Sequence, residues 1–126
     1  MQTVVNTDFP VGVVTGDVVI DWSRVQDLRM EIGADDFDDV VALFLEEADD
    51  VVRRLPSLTS ARSMESDLHF LKGSALNLGF ADLAQICQTG ERRAAAGLTD
   101  FALDAVVTVY QQSRADFLGG IKTRAA

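Results

Sequence analysis

Met64-Glu65-Ser66-Asp67-Leu68-His69-Phe70-Leu71-Lys72-Gly73-Ser74-Ala75-Leu76-Asn77-Leu78-Gly79 is the stretch on which the fold turns. Its apolar residues Met64, Leu68, Leu71, Ala75 and Leu78 step by 4, 3, 4 and 3, the period of a helix that buries one stripe against its neighbours. The spacing predicts a helix from about Ser63 to Leu78, with Gly79 as its terminator.

The same reading extends in both directions. Downstream, a helix is predicted from about Ala81 to Ala96, with Leu83, Ile86 and Cys87 inward and Gly97 ending it. Another runs from Asp100 to about Ile121 and buries Val106, Val109 or Tyr110, Ser113 and Phe117. Upstream, Phe37, Val40, Val41, Phe44, Ala48, Val51, Val52 and Leu55 recur at helical spacing from about Asp35 to Leu55, where Pro56 stops the helix. Asp21 is placed to cap a first helix, Trp22 to about Ile32, ending at Gly33. Strand-like alternation is absent outside residues 1–17, which mix Val, Thr, Gly and Asn and are read as an N-terminal extension. Long amphipathic helices with short connections predict an all-α domain over 18–124. Its architecture is an antiparallel four-helix bundle, with an additional short N-terminal helix covering one end.

Bulk composition narrows the function. The chain has 126 residues, enough for one core. Its net charge of −9, from 20 acidic and 11 basic residues, repels phosphate backbones and anionic headgroups, so neither nucleic acid nor membrane is an expected partner. Cys87 is the only cysteine, which excludes an intrachain disulfide. No Lys or Arg precedes Arg24 to form the charged region of a signal peptide, and Val11 to Ile20 is too short and too interrupted to span a bilayer. A cytoplasmic monomer is expected.

A lone histidine is ordinarily a surface or packing residue without chemistry. His69 is not a packing residue: at ~100° per residue it points about 140° from the centre of the buried stripe. Its neighbours on the helix surface, at i+3, i+4 and i+7, are Lys72, Gly73 and Leu76. A free imidazole, with a pKa of ~6.5, is mostly neutral and nucleophilic near neutral pH. An ammonium one turn along offsets negative charge on a group attached to the ring. Glycine inside a helix costs roughly 0.5–1 kcal/mol relative to alanine, so Gly73 is an odd choice unless it keeps the approach to the ring open. Leu76, with Phe70 to one side, leaves apolar surface where a partner can dock. Taken singly, each of these has a bland explanation; the combination does not.

The run His69-Phe70-Leu71-Lys72-Gly73-Ser74-Ala75, followed by Leu78-Gly79, resembles the signature of histidine phosphotransfer (HPt) domains, His-x-Leu-Lys-Gly-Ser-Ala and then Leu-Gly. Leu83, Ile86, Cys87, Glu91, Ala94 and Gly97 fall where that family tends to have the same or similar residues, and the looser resemblance covers about residues 18 to 122. It implies that His69 accepts a phosphoryl group from a receiver-domain aspartate in a multistep two-component phosphorelay, that Lys72 stabilises the phosphorylated ring and that Gly73 keeps access open. The implied partners are receiver domains of response regulators or of a hybrid histidine kinase. Mg2+ is expected in the receiver, and no cofactor or metal in this chain. Two residues depart from the pattern. Gly90 stands where a large aliphatic residue is usual, which is expected to loosen the fourth helix. Phe80 replaces a common small residue, with an expected effect on packing or docking.

No Gly-x-x-x-x-Gly-Lys-Ser/Thr and no kinase-like glycine-rich loop occurs, so ATP-dependent kinase activity is not expected. One alternative is an HPt-like binding or adaptor module without phosphotransfer, for which the His-Lys-Gly trio would be superfluous. A metal-carboxylate enzyme is the other, suggested by the acidic second helix. Di-iron bundles, however, use Glu-x-x-His on two helices, and this chain has one histidine and no such motif. The carboxylates of the second helix are read as a solvated face.

Overall fold

The computed structural model describes residues 18–125; the extension 1–17 lies outside the described residues. Five α-helices follow in order: α1 Trp22–Ile32, α2 Ala34–Arg54, α3 Ala61–Leu78, α4 Ala81–Ala95 and α5 Leu103–Ala125, with a single 3-10 turn Leu55–Ser57 between α2 and α3. Helices α2 to α5 pack in a ring with short connections, so chain neighbours run antiparallel, and α1 lies across α2 and α3. The expected four-helix bundle with an extra N-terminal helix is the fold observed.

Local chemistry sets the helix ends. Asp21 accepts from the Arg24 amide at 3.2 Å and caps α1 as expected. Gly33, at φ +99°, separates α1 from α2. Helix α3 starts at Ala61 rather than Ser63, because Ser60 is its cap and takes the Ser63 amide onto its hydroxyl at 3.1 Å. Helix α5 starts at Leu103 rather than Asp100. Both Asp100 carboxylate oxygens are held by Arg93 at 2.8 Å, which ties that residue back to α4.

The α3–α4 turn is the tightest joint. Gly79 adopts φ +79°, and a Cβ there would lie 2.6 Å from the Asp21 carbonyl oxygen. Only glycine meets both demands. The Phe80 amide returns to the Ala75 carbonyl at 2.8 Å, closing the helix end. The segment before α1 fastens this turn from outside: Ile20 bridges Phe80, the Asp21 amide donates to the Gly79 carbonyl at 2.7 Å, and the Val19 amide donates to Asp82 at 2.8 Å.

The core is continuous through all five helices. Phe37, Leu55, Leu68, Leu71, Leu78, Phe80, Leu83, Val106 and Phe117 are essentially inaccessible, and truncating any of the leucines to alanine costs about 2–5 kcal/mol. Phe80 is a packing residue and not a docking one, since its buried ring meets Phe117 edge-on at 5.3 Å. Val109 and Tyr110 are both buried, where the sequence left the choice open. On α2 the buried stripe includes Leu45, which the periodic reading omitted, while Val40 and Phe44 are only half-buried. Nor are its carboxylates uniformly solvated: Asp49 accepts from the Tyr110 hydroxyl and from Arg114. Gly90 lies within an unbroken α4, and the Phe101 ring fills the space beside it, 2.7 Å from where a Cβ would stand.

Candidate functional site

His69 sits on the outward side of α3 with 69% of its side chain exposed. Its chain neighbour Leu68 and the nearby Leu71 are fully buried and lock the helix face that presents it. Lys72 and Gly73 follow on the same helix, so three of the expected site residues are brought together by α-helical spacing alone.

The fourth member comes from α4. Glu91 accepts from His69 Nδ1 at 2.8 Å through Oε2, and its Oε1 lies 2.9 Å from Lys72 Nζ. The sequence had marked Glu91 only as a position similar to the family. Its carboxyl feels opposing effects. Burial, the largest of them, raises its pKa, but the Lys72 ammonium and the His69 ring together outweigh burial and hold it below the usual carboxylate range. Glu91 is therefore ionised near neutrality.

An ionised carboxylate only accepts hydrogen bonds, so Nδ1 of His69 carries the proton. The lone pair of the neutral ring is then on Nε2, which has no hydrogen-bond partner among the described residues. The arrangement yields a nucleophilic nitrogen aimed at solvent, an ammonium one turn away, and a carboxylate behind the ring. Lys72 is not freely solvated: only 24% of its side chain is exposed, and Glu91 restrains it.

The surroundings of the ring are open and partly apolar. A Cβ at Gly73 would meet nothing within 4 Å. Phe70 and Leu76, 40% and 58% exposed, flank His69 on the helix surface. Asp67, two residues before His69, is nearly buried and receives both Arg54 Nε at 2.9 Å and Arg54 Nη2 at 2.8 Å, which fixes α3 against α2. The thiol of Cys87 is inert: burial, then the nearby Glu91, push its pKa up to about 12. A groove of about 830 Å3 between α2 and α5, with Arg29 of α1 at its edge, has no lining residue from α3 or α4. This site is a surface and not a cleft.

Residues 39–116, more than half of the chain and all of α3 and α4, match the family model described as Hpt domain. The chain belongs to the Hpt domain family. Histidine phosphotransfer in phosphorelays is the general activity of Hpt domains, and an exposed histidine on a bundle helix is the chemistry that activity requires. No curated protein and no solved structure gives a significant match to this Hpt domain. Among its described residues no helix is long and apolar enough to cross a membrane, and no group of three or more His, Cys, Asp or Glu is arranged to hold a metal ion.

Proposed function

We propose that this Hpt domain carries a phosphoryl group on Nε2 of His69 and relays it between receiver-domain aspartates in a multistep two-component phosphorelay. The observation that carries the reading is the exposed ring whose Nδ1 is committed to Glu91. In the forward step the Nε2 lone pair attacks the phosphorus of an aspartyl phosphate. A P–N bond forms, the P–O bond to the acyl oxygen breaks, and the aspartate leaves as a carboxylate. Nδ1 keeps its proton, so the phosphorylated ring is cationic. Glu91 then faces that positive charge while Lys72 faces the phosphoryl oxygens. Return transfer is the reverse of the same step, and no proton need be moved.

Phe70 and Leu76 supply apolar surface for the incoming receiver, and Gly73 leaves room for its active site. The receiver brings the Mg2+ and the in-line geometry; this domain brings a positioned nucleophile, without a cofactor or ATP-dependent kinase activity of its own. The reading takes the domain as a cytoplasmic monomer. Incubation with a phosphorylated receiver tests it: the expected product is a single adduct, labile in acid and stable in alkali, that is lost in His69→Gln. Label persisting in that variant would falsify the assignment, and label acquired from ATP with no kinase present would overturn the relay-only role.

A further inference from the structure

The glycine that departs from the family pattern marks a joint directly behind the site. A Cβ at Gly90 would lie 2.7 Å from Phe101 Cε2 and 2.8 Å from Leu68 Cδ1, so α3, α4 and the α4–α5 connection converge on one point. Leu68 is fully buried, and Phe101 is partly buried against the core. The next residue on each helix is the site itself: His69 follows Leu68, and Glu91 follows Gly90. Phe101 is held in place by its neighbour, since Asp100 is clamped by Arg93 at 2.8 Å.

We infer that Phe101 is a positioning residue for phosphotransfer: its ring, seated in the Gly90 notch against Leu68, sets the α3–α4 separation at which Glu91 reaches His69. A hydrogen bond of 2.8 Å tolerates only a few tenths of an ångström of stretch before it weakens. The spacing of two packed helices is decided by the side chains between them. A side chain more than 30 residues from His69 in sequence therefore governs which ring nitrogen carries the proton. This inference rests on the assignment of His69 as phosphoacceptor, but its first readout does not require phosphorylation.

The test combines imidazole nitrogen NMR of unphosphorylated protein with the rate of His69 labelling by phosphoramidate, a small donor that needs no docking surface. Phe101→Ala is expected to shift the His69 tautomer population away from Nδ1–H and to slow labelling roughly ten- to hundredfold, the scale of an ångström-level misplacement. Phe101→Leu keeps the core filled and carries the same test if the alanine variant melts below the assay temperature; an intermediate tautomer shift is expected. Folded variants that keep the parental tautomer, whatever their melting temperature or labelling rate, would overturn the inference. Failure of the parent itself to take label would instead refute the phosphoacceptor assignment, with the tautomer result still standing.

Discussion

Gly73 sets stability against function, and the structure predicts the sign of each effect. It lies well inside α3. Positive φ angles occur at Gly33, Gly79 and Gly97, and Gly73 is not among them. Beyond its chain neighbours and its own helix backbone, no atom lies within 4 Å of a Cβ built on it. Gly73→Ala thus meets neither strain nor collision, and helix propensity makes it stabilising by about 0.5–1 kcal/mol. For a domain of this size that corresponds to a rise in Tm of about 2–5 °C. A glutamine at the same position is also a good helix former, so Gly73→Gln is expected to melt no lower than the parent. Its side chain, however, stands one turn from the exposed ring, in the space through which a receiver's active site would approach. Transfer from a phosphorylated receiver is expected to slow by at least ~10-fold in Gly73→Gln, with Gly73→Ala in between. A thermal melt and a transfer time course on each variant decide it. Full-speed transfer by a folded Gly73→Gln protein would refute the role of the glycine in access, and a large loss of stability in Gly73→Ala would refute its placement in open helix.

Lys72→Ala is expected to lower stability by only about 0.5–1 kcal/mol, because a partly exposed ion pair is worth little and Glu91 keeps its bond to His69. The phosphohistidine should nevertheless decay several-fold faster than in the parent; an unchanged lifetime and transfer rate would remove Lys72 from the mechanism. Glu91→Gln preserves an acceptor for Nδ1 but not the charge. The folded-state pKa of Glu91 lies below its unfolded value, so its pairing contributes fully above ~4.3 and is lost as pH falls through the depressed value. The stability gap between parent and Glu91→Gln, measured by urea unfolding, should therefore be larger at pH 7 than at pH 3; an equal gap at both would contradict the ion pairing. Gly79→Ala combines a positive φ with a 2.6 Å approach to the Asp21 carbonyl oxygen and should cost about 2–4 kcal/mol in denaturant unfolding. A loss below about 0.5 kcal/mol would mean that the turn relaxes freely.

Periodicity carried most of the fold because the buried stripe of each helix is nearly pure. On α3 all five expected stripe residues are buried. On α2 the same method misassigned the flanks, taking Val40 and Phe44 as core and omitting Leu45. The apolar residues there cover more than one face, and only the neighbours decide which of them are buried. Charged residues misled for a related reason. Asp67 lies within the inward arc of α3 and Asp49 beside that of α2, and both are satisfied by arginines distant in sequence. A helical wheel shows that such a carboxylate lies near the core; it does not show what pairs with it.

The site was half visible for the same reason. His69, Lys72 and Gly73 share one helix, so spacing alone assembled them, whereas Glu91 belongs to α4 and needs the register between two helices. That register was nevertheless implicit in the turn. Helix α3 ends at Leu78 and α4 begins at Ala81, so in an antiparallel hairpin residues equidistant from Gly79-Phe80 come level. His69 lies nine residues before Leu78 and Glu91 ten after Ala81, each roughly 14–15 Å from the turn at ~1.5 Å per residue. Leu68 and Gly90 are level by the same arithmetic, ten and nine residues away. What sequence reasoning lacked was the conformation of the two-residue connection, and that conformation depends on a segment far upstream. Ile20 bridges Phe80, the Asp21 amide donates to the Gly79 carbonyl, and the Asp21 carbonyl crowds the place where a Cβ on Gly79 would stand. Residues 18–21 therefore bear on the site at a distance of many residues: they clamp the turn from which the α3–α4 hairpin takes its register, and in that register Glu91 lies against His69.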